Sequence, residues 1–240
     1  MLQTNEELID WAFSNSKSVF NTLSEEEKRS LRPHIEVLNY KRGSKIYWEG
    51  EEPSGFLFLL AGKVKIFKEG VGGREQIVRM TKPLGYVGYR ALIAQEIHNA
   101  CAVSIEESKV LRVKPDYFFN QLLKNNDFTL RLLRKLSEEL GFSNSRTVTL
   151  TQKHIRGRMA EALLLLKRKY GFEQNEKTLR VLLTREDLAK LSNMTTANAI
   201  RTLSSFAKEE LILVEKRKVS LLNLSELENI STQGKINIMK

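Results

Sequence analysis

Cysteine is nearly absent from this 240-residue chain, where Cys101 stands alone. One thiol cannot close a disulfide within the chain, nor supply the several sulfur ligands of a structural zinc or iron–sulfur centre. A reducing, cytoplasmic setting fits that scarcity. Long hydrophobic runs are missing too. The longest apolar stretches, 56–61 and 162–166, fall far short of the roughly 20 residues that a membrane helix needs, so they read as a buried strand and one face of a core helix. No membrane partner is expected. The opening MLQTNEELIDWAF mixes acids with apolar residues and lacks the basic start and apolar centre of a secretory signal. No paired carboxylates, nucleophile with base, or metal cluster stand at a recognisable spacing, so an enzyme is not expected.

What the chain does have is positive charge, concentrated in one half. The net charge is +10, and residues 121–240 carry almost all of it while residues 1–120 are nearly neutral. A polyanion would be drawn to the second half. A solvated basic surface explains the same charge, which alone does not decide between them. The length leaves room for two domains and a connector.

The first 32 residues read as helical, with Ser24 and Glu27 spaced for a capping box and Pro33 ending the pattern. From His34 to Val113 the chain turns to short β-rich runs (IEVLNY, KIYW, GFLFLLAG, KVKIFKEG, EQIVRM, NACAVSI, KVLRV) punctuated by glycines. Close spacing with glycine turns predicts an antiparallel barrel or roll. PDYFFNQLLKN then reads as a short helix, and a much longer one starts near Asp127. Along the long helix Leu133, Leu136, Leu140, Ser143, Thr147 and Leu150 recur at three- and four-residue steps, a seam that invites a partner helix. Packing on its own roll is the alternative; the polar Ser143 and Thr147 weaken a coiled coil, but self-dimerisation is the expectation. A further helix from Ile155 carries Met159, Ala162, Leu163 and Leu166 on one side and ends at Gly171. The basic run 167–169 reads as a solvated helix end.

The stretch from Thr184 to about Leu224 is the most informative. Thr184 is a suitable N-cap with Glu186 and Asp187 in the first turn, and Leu188, Ala189 and Leu191 form an apolar face. Small Ala189 permits a steep helix crossing. After Ser192-Asn193-Met194, Thr195 can cap a second helix burying Ala199, Ile200, Leu203 and Phe206. Its other face would present Thr196, Asn198, Arg201 and Thr202. Side chains of these kinds, Thr195 included, at the start of such a helix can contact DNA in the major groove. Two β-rich runs follow around the basic tip Glu215-Lys216-Arg217-Lys218, a wing suited to phosphate contact. The order of parts is that of a winged helix-turn-helix that binds duplex DNA.

In this order the chain resembles the Crp/Fnr family of bacterial transcription regulators over nearly its full length. Thr184-Arg185-Glu186-Asp187-Leu188-Ala189 is similar to the opening of the family's helix-turn-helix, Thr195 to Leu203 to its recognition helix, and Gly157-Arg158-Met159-Ala160 to the motif after its long helix. The resemblance implies a phosphate contact for Arg185 and a base contact for Arg201. Thr196 and Ala197 stand where the family commonly has Arg and Glu, which implies a different operator. GFLFLLAGKVKIF resembles the core of a cyclic-nucleotide-binding roll. The Glu and Arg that nucleotide-binding members use are absent from the corresponding Gly88-Tyr89-Arg90-Ala91 and Asn99-Ala100-Cys101. An unpaired phosphate would be costly to bury there, so cyclic AMP is not expected. Arg90 reads as a surface residue, with partial compensation from a displaced position as the alternative, and Ser143 and Asn144 fall where nucleotide-binding members set polar groups against the base. The resemblance therefore implies a ligand site that is either lost or of altered chemistry, with Gly88, Tyr89, Arg90, Asn99, Ala100, Ser143 and Asn144 as its candidate residues and the effector unknown. Neither haem, for which the roll offers only His34 and His98, nor an iron–sulfur cluster is expected.

The resulting expectation is an α+β protein: an N-terminal β-roll with flanking helices (1–124), a long dimerisation helix (125–153), a C-terminal winged helix-turn-helix domain (154–228) and a tail (229–240). It would act as a cytoplasmic homodimer on palindromic duplex DNA, with RNA polymerase as a further partner. The rival reading is a small-molecule sensor or regulatory module acting through a protein partner.

Overall fold

The structure, a computed structural model, describes residues 4–233. The chain divides into two compact units, 1–139 and 140–240.

In the first unit, the helical opening consists of two helices. Helix α1 (Asn5–Ser14) is capped by Thr4, and α2 (Glu25–Leu31) by the Ser24–Glu27 capping box read from the sequence. Between them Ser18 caps a short 3-10 turn, and Pro33 lies within another turn at Arg32–His34. Eight antiparallel strands follow: β1 (Ile35–Tyr40), β2 (Lys45–Tyr47), β3 (Phe56–Ala61), β4 (Val64–Glu69), β5 (Glu75–Thr81), β6 (Tyr86–Val87), β7 (Cys101–Ser104) and β8 (Ser108–Val113). They form two four-stranded sheets, β1-β8-β3-β6 and β2-β7-β4-β5. This is the roll that the glycine-punctuated runs predict. Apolar residues on both faces of β3 explain its continuous run: Phe56, Phe58 and Leu60 pack against α1 and the aromatic core, while Leu57 and Leu59 face the roll interior. Gly62 turns the chain at φ 87, and a Cβ there would meet the Glu107 carbonyl oxygen at 2.4 Å, so the tight β3–β4 corner demands glycine.

One element of this unit was not legible in the sequence. After β6, Gly88 adopts a left-handed backbone and starts a six-residue helix α3 (Tyr89–Ala94), which puts Tyr89 fully inside the core. Helix α4 (Pro115–Asn120) stops earlier than the apolar spacing suggests, and a 3-10 turn, Leu122–Lys124, leads into the long helix α5 (Asn126–Gln152).

The seam expected along α5 divides in two. Phe128 and Leu132 are buried in the roll's core and Leu136 packs against it, whereas Leu133 and Leu140 are 55% and 64% exposed. Leu130 and Val148 are exposed with Leu133 and Leu140, and Ser143 and Thr147 are exposed as well.

The second unit contains α6 (Ile155–Tyr170), α7 (Arg185–Leu191), α8 (Thr196–Lys208), the hairpin β9 (Ile212–Glu215) and β10 (Lys218–Leu221), and α9 (Leu224–Gln233). Met159, Ala162, Leu163 and Leu166 of α6 are buried, as its spacing predicts, and Gly171 is its C-cap. Helix α9 is a difference from the expectation of a tail beginning at 229. Asn223 accepts a hydrogen bond from the Glu226 amide at 3.0 Å to start it, and buried Leu227 and Ser231 turn toward α6. There Ser231 Oγ donates to Glu161 at 2.6 Å, beside Lys153 at 3.1 Å and Arg168 at 2.7 Å. Burial alone would raise the Glu161 carboxyl, but these three hydrogen bonds outweigh it and hold it at about 2. The rest of the expected tail, 234–240, lies outside the described residues.

Candidate nucleic-acid interface

The interface is assembled from two capped helices. Thr184 Oγ1 accepts from the Asp187 amide at 3.0 Å while Asp187 accepts from the Thr184 amide at 3.2 Å, a reciprocal cap that fixes the start of α7. Leu188, Ala189 and Leu191 are buried as expected. The turn works because Asn193 takes a left-handed backbone at φ 50 and the Met194 amide donates back to the Ala189 carbonyl at 3.1 Å. Thr195 then caps α8, its hydroxyl accepting from the Asn198 amide at 3.2 Å. Of the proposed DNA-contacting residues, Thr195 is therefore engaged in holding the helix start.

The rotation of α8 corrects the sequence expectation at two positions. Thr202, placed on the DNA side by its spacing, is 6% exposed, and Ile200, placed in the core, is 47% exposed. Ala199, Leu203 and Phe206 define the buried direction, and on a helix Thr202 and Ile200 flank it on its two sides, Thr202 the nearer. The exposed strip is thus Thr196, Ala197, Ile200, Arg201 and Ser204, with half-buried Asn198 alongside. Arg201 donates to Asn198 Oδ1 at 2.6 Å, which aims the guanidinium along the helix face.

Two arginines behind this strip hold the helices in place. Arg156 of α6 donates from two nitrogens to the Glu209 carboxylate, at 2.8 and 2.5 Å, and to Ser205 at 2.7 Å, with its guanidinium over the Phe206 ring. That hydrogen bonding holds the Glu209 carboxyl below its usual range despite some desolvation. Arg146 of α5 is 7% exposed and donates to the Leu191 carbonyl at the end of α7, while its Nε and Nη1 have no hydrogen-bond partner among the described residues. Burial presses this guanidinium down to about 10, so it is still charged at neutral pH. Sequence patterning offered no sign of either link, since their partners lie 45 and 53 residues away.

Arg185 is the first residue of α7, half-buried. In the wing, Glu215 pairs with Lys218 across a two-residue turn, which leaves Lys216 and Arg217 exposed at the tip. Lys216 takes a left-handed backbone at φ 52. Lys218 is held by Glu173 at 3.0 Å, so it is less available to phosphate than the other two. A Thr178–Ser220 hydrogen bond of 2.7 Å ties the hairpin to the segment after α6.

In the roll, five of the residues proposed for a ligand, Gly88, Tyr89, Arg90, Asn99 and Ala100, come together around one cavity of about 100 Å³. Arg79 and His98, which the sequence reading did not place there, line it too. His98 is buried and stacked on Tyr47, ring centroids 3.7 Å apart. Arg79 pairs with Glu139 at 2.6 Å, and the Tyr89 hydroxyl donates to the same carboxylate oxygen. Desolvation and the Glu139 charge push the Tyr89 phenol upward. Arg90 pairs with Glu96 at 2.7 Å on the surface. Ser143 and Asn144 are exposed positions of α5 in the second unit.

Two family models match this chain: the cyclic nucleotide-binding domain over residues 37–126 and the Crp-like helix-turn-helix domain over residues 157–230. The chain belongs to the Crp/Fnr family. It is thus a transcriptional regulator with a helix-turn-helix DNA-binding domain, and not an enzyme. Among similar proteins, the Crp/Fnr chain is 24% identical over 200 residues to the CRP-like cAMP-activated global transcriptional regulator of Mycobacterium tuberculosis, covering 82% of this chain and 89% of the relative. It is 25% identical over 221 residues to the fumarate and nitrate reduction regulatory protein of Vibrio cholerae, covering 89% and 87%. Solved structures with the same fold include FixK2 from Bradyrhizobium japonicum, TM-score 0.73 at 22% identity over 82% of this chain and 98% of that one. A CooA mutant from Carboxydothermus hydrogenoformans matches with TM-score 0.74 at 19% identity, over 91% and 97%. No helix of this Crp/Fnr protein, among the described residues, is long and apolar enough to cross a membrane.

Proposed function

We propose that the protein is a cytoplasmic homodimer that reads a palindromic operator by inserting its two α8 helices into successive major grooves. The observation that carries this reading is the exposed strip of α8, where Arg201 is oriented by Asn198 beside Thr196. Arg185 at the start of α7 and Lys216 and Arg217 at the wing tip supply phosphate contacts, with Lys218 contributing once released from Glu173. Dimerisation proceeds through the exposed leucines of α5, and RNA polymerase is the protein partner once the operator is bound. The cavity of the roll, with Arg79, His98 and Asn99 in its lining, supports a retained sensor of altered chemistry. Its volume of about 100 Å³ is small beside the roughly 300–1,000 Å³ of most ligand sites, and its cations are matched by Glu139 and Glu96. Selection of bound duplexes from a random pool by the purified protein tests the DNA reading. An inverted repeat with half-sites about one helical turn apart is expected. Absence of saturable duplex binding at physiological salt would favour a module that acts through a protein partner instead.

A further inference from the structure

Ile200 is an apolar side chain in the middle of the strip that faces outward from α8. It is 47% exposed, follows Ala197 by three residues and so shares its side of the helix, and directly precedes Arg201. The helix does not need it for packing, since Ala199, Thr202, Leu203 and Phe206 fill the buried side. An exposed isoleucine by itself is ordinary. Its position is what matters: a helix that brings Thr196 and Arg201 to base edges carries Ala197 and Ile200 to base edges with them.

In the major groove, three of the four bases present only hydrogen-bonding groups to such a side chain, and thymine alone adds a methyl group. An isoleucine set against polar base edges would displace water from donors and acceptors without replacing its hydrogen bonds, which is unfavourable. Against a thymine methyl both partners lose apolar surface to water. We propose that Ile200, with Ala197, is a specificity-determining residue that selects a thymine in each half-site through its C5-methyl group. The proposal rests on the reading that α8 occupies the major groove, and it adds a base preference carried by apolar contact rather than by a hydrogen bond.

The test uses the full-length protein and a selected operator in which each thymine is replaced in turn by deoxyuridine, removing one methyl from the DNA and nothing from the protein. Burial of one methyl corresponds to about a fourfold change in affinity. Wild type is expected to lose about that factor at one position per half-site, and Ile200→Ala to lose most of the preference for thymine over uracil there while Ile200→Val still discriminates. Indifference of the wild type to uracil at every position, a selected half-site with no thymine, or an Ile200→Ala variant that keeps the preference would overturn the proposal. If no duplex is bound saturably, there is no titration to compare and the DNA reading falls first, taking this one with it.

Discussion

Arg201 donates a hydrogen bond of 2.6 Å to the side-chain oxygen of Asn198, one turn earlier on α8, and this contact turns two candidate base readers into a coupled pair. Arg201→Ala is expected to cost about 1–3 kcal/mol of operator binding and to relax base preference. Asn198→Ala leaves the guanidinium present but unaimed, so it should blur discrimination more than it weakens affinity. Lys216→Ala at the wing tip should weaken all sequences alike and lower the salt slope by about one. Competition titrations against operator and scrambled duplexes at several salt concentrations separate the three. Equal, sequence-independent losses from Arg201→Ala and Lys216→Ala would contradict base reading by Arg201.

The α5 leucines make a second prediction. Leu133 and Leu140 each leave more than half of a large apolar side chain exposed on one chain, and neither serves its own core. Leu140→Asp should therefore leave folding intact while converting dimer to monomer, because a surface substitution costs the monomer little but places two carboxylates in a buried interface. Sedimentation equilibrium measures this directly. A variant that still dimerises at the wild-type concentration would place the interface elsewhere.

Caps and turns were the most legible features of the sequence, and rotations and long-range pairs the least. Thr184, Thr195 and Ser24 announce helix starts because the hydrogen bonds that make a cap lie within three residues. The wing was legible for a similar reason, two β-rich runs around a charged tip. Whether Ile200 or Thr202 faces inward depends on how α8 rolls against its neighbours, and an apolar arc read at 3.6-residue spacing does not fix that angle to within one residue. Arg79 with Glu139, Arg156 with Glu209 and Lys218 with Glu173 depend on the finished fold, so no local pattern points to them. Helix α9 did carry a signal: Asn223 precedes Leu224, Leu227 and Ile230 at three-residue steps.

His98 gives the roll a pH dependence of definite sign. Its ring is buried against Tyr47, and desolvation, with a smaller push from Arg90 against the pull of Glu51, lowers its pKa from the ordinary 6.5. The unfolded chain thus takes up the proton first. Stability from a neutral His98 is complete above about pH 6.5, declines as pH falls through that value and levels off below the folded pKa. Calorimetry between pH 8 and 5 should show the loss, and His98→Phe, which keeps the stacked ring but cannot titrate, should remove this step. If the pH profile of His98→Phe matched that of wild type, the step would belong to another group.

Arg146 presents a conflict between burial and charge that mutation can resolve. Its guanidinium makes one hydrogen bond, to the Leu191 carbonyl, and two of its nitrogens are buried without a partner among the described residues. Desolvating a charge costs several kcal/mol, and a single hydrogen bond from a charged donor returns only about 1.5–3 kcal/mol. Arg146→Met keeps the length and the apolar contacts, removes the charge and leaves one helix-end carbonyl without its donor, at a cost of about 1–3 kcal/mol. The desolvation term is the larger, so the variant should be as stable as wild type or more stable, by up to about 2 kcal/mol in urea unfolding. Because Arg146 is also the link between α5 and the end of α7, the same substitution should loosen the seating of the helix-turn-helix and weaken operator binding. Loss of stability together with affinity would mean that the guanidinium is fully hydrogen-bonded in solution and is a structural strut; gain of one with loss of the other identifies it as a residue that gives up stability for the placement of α7.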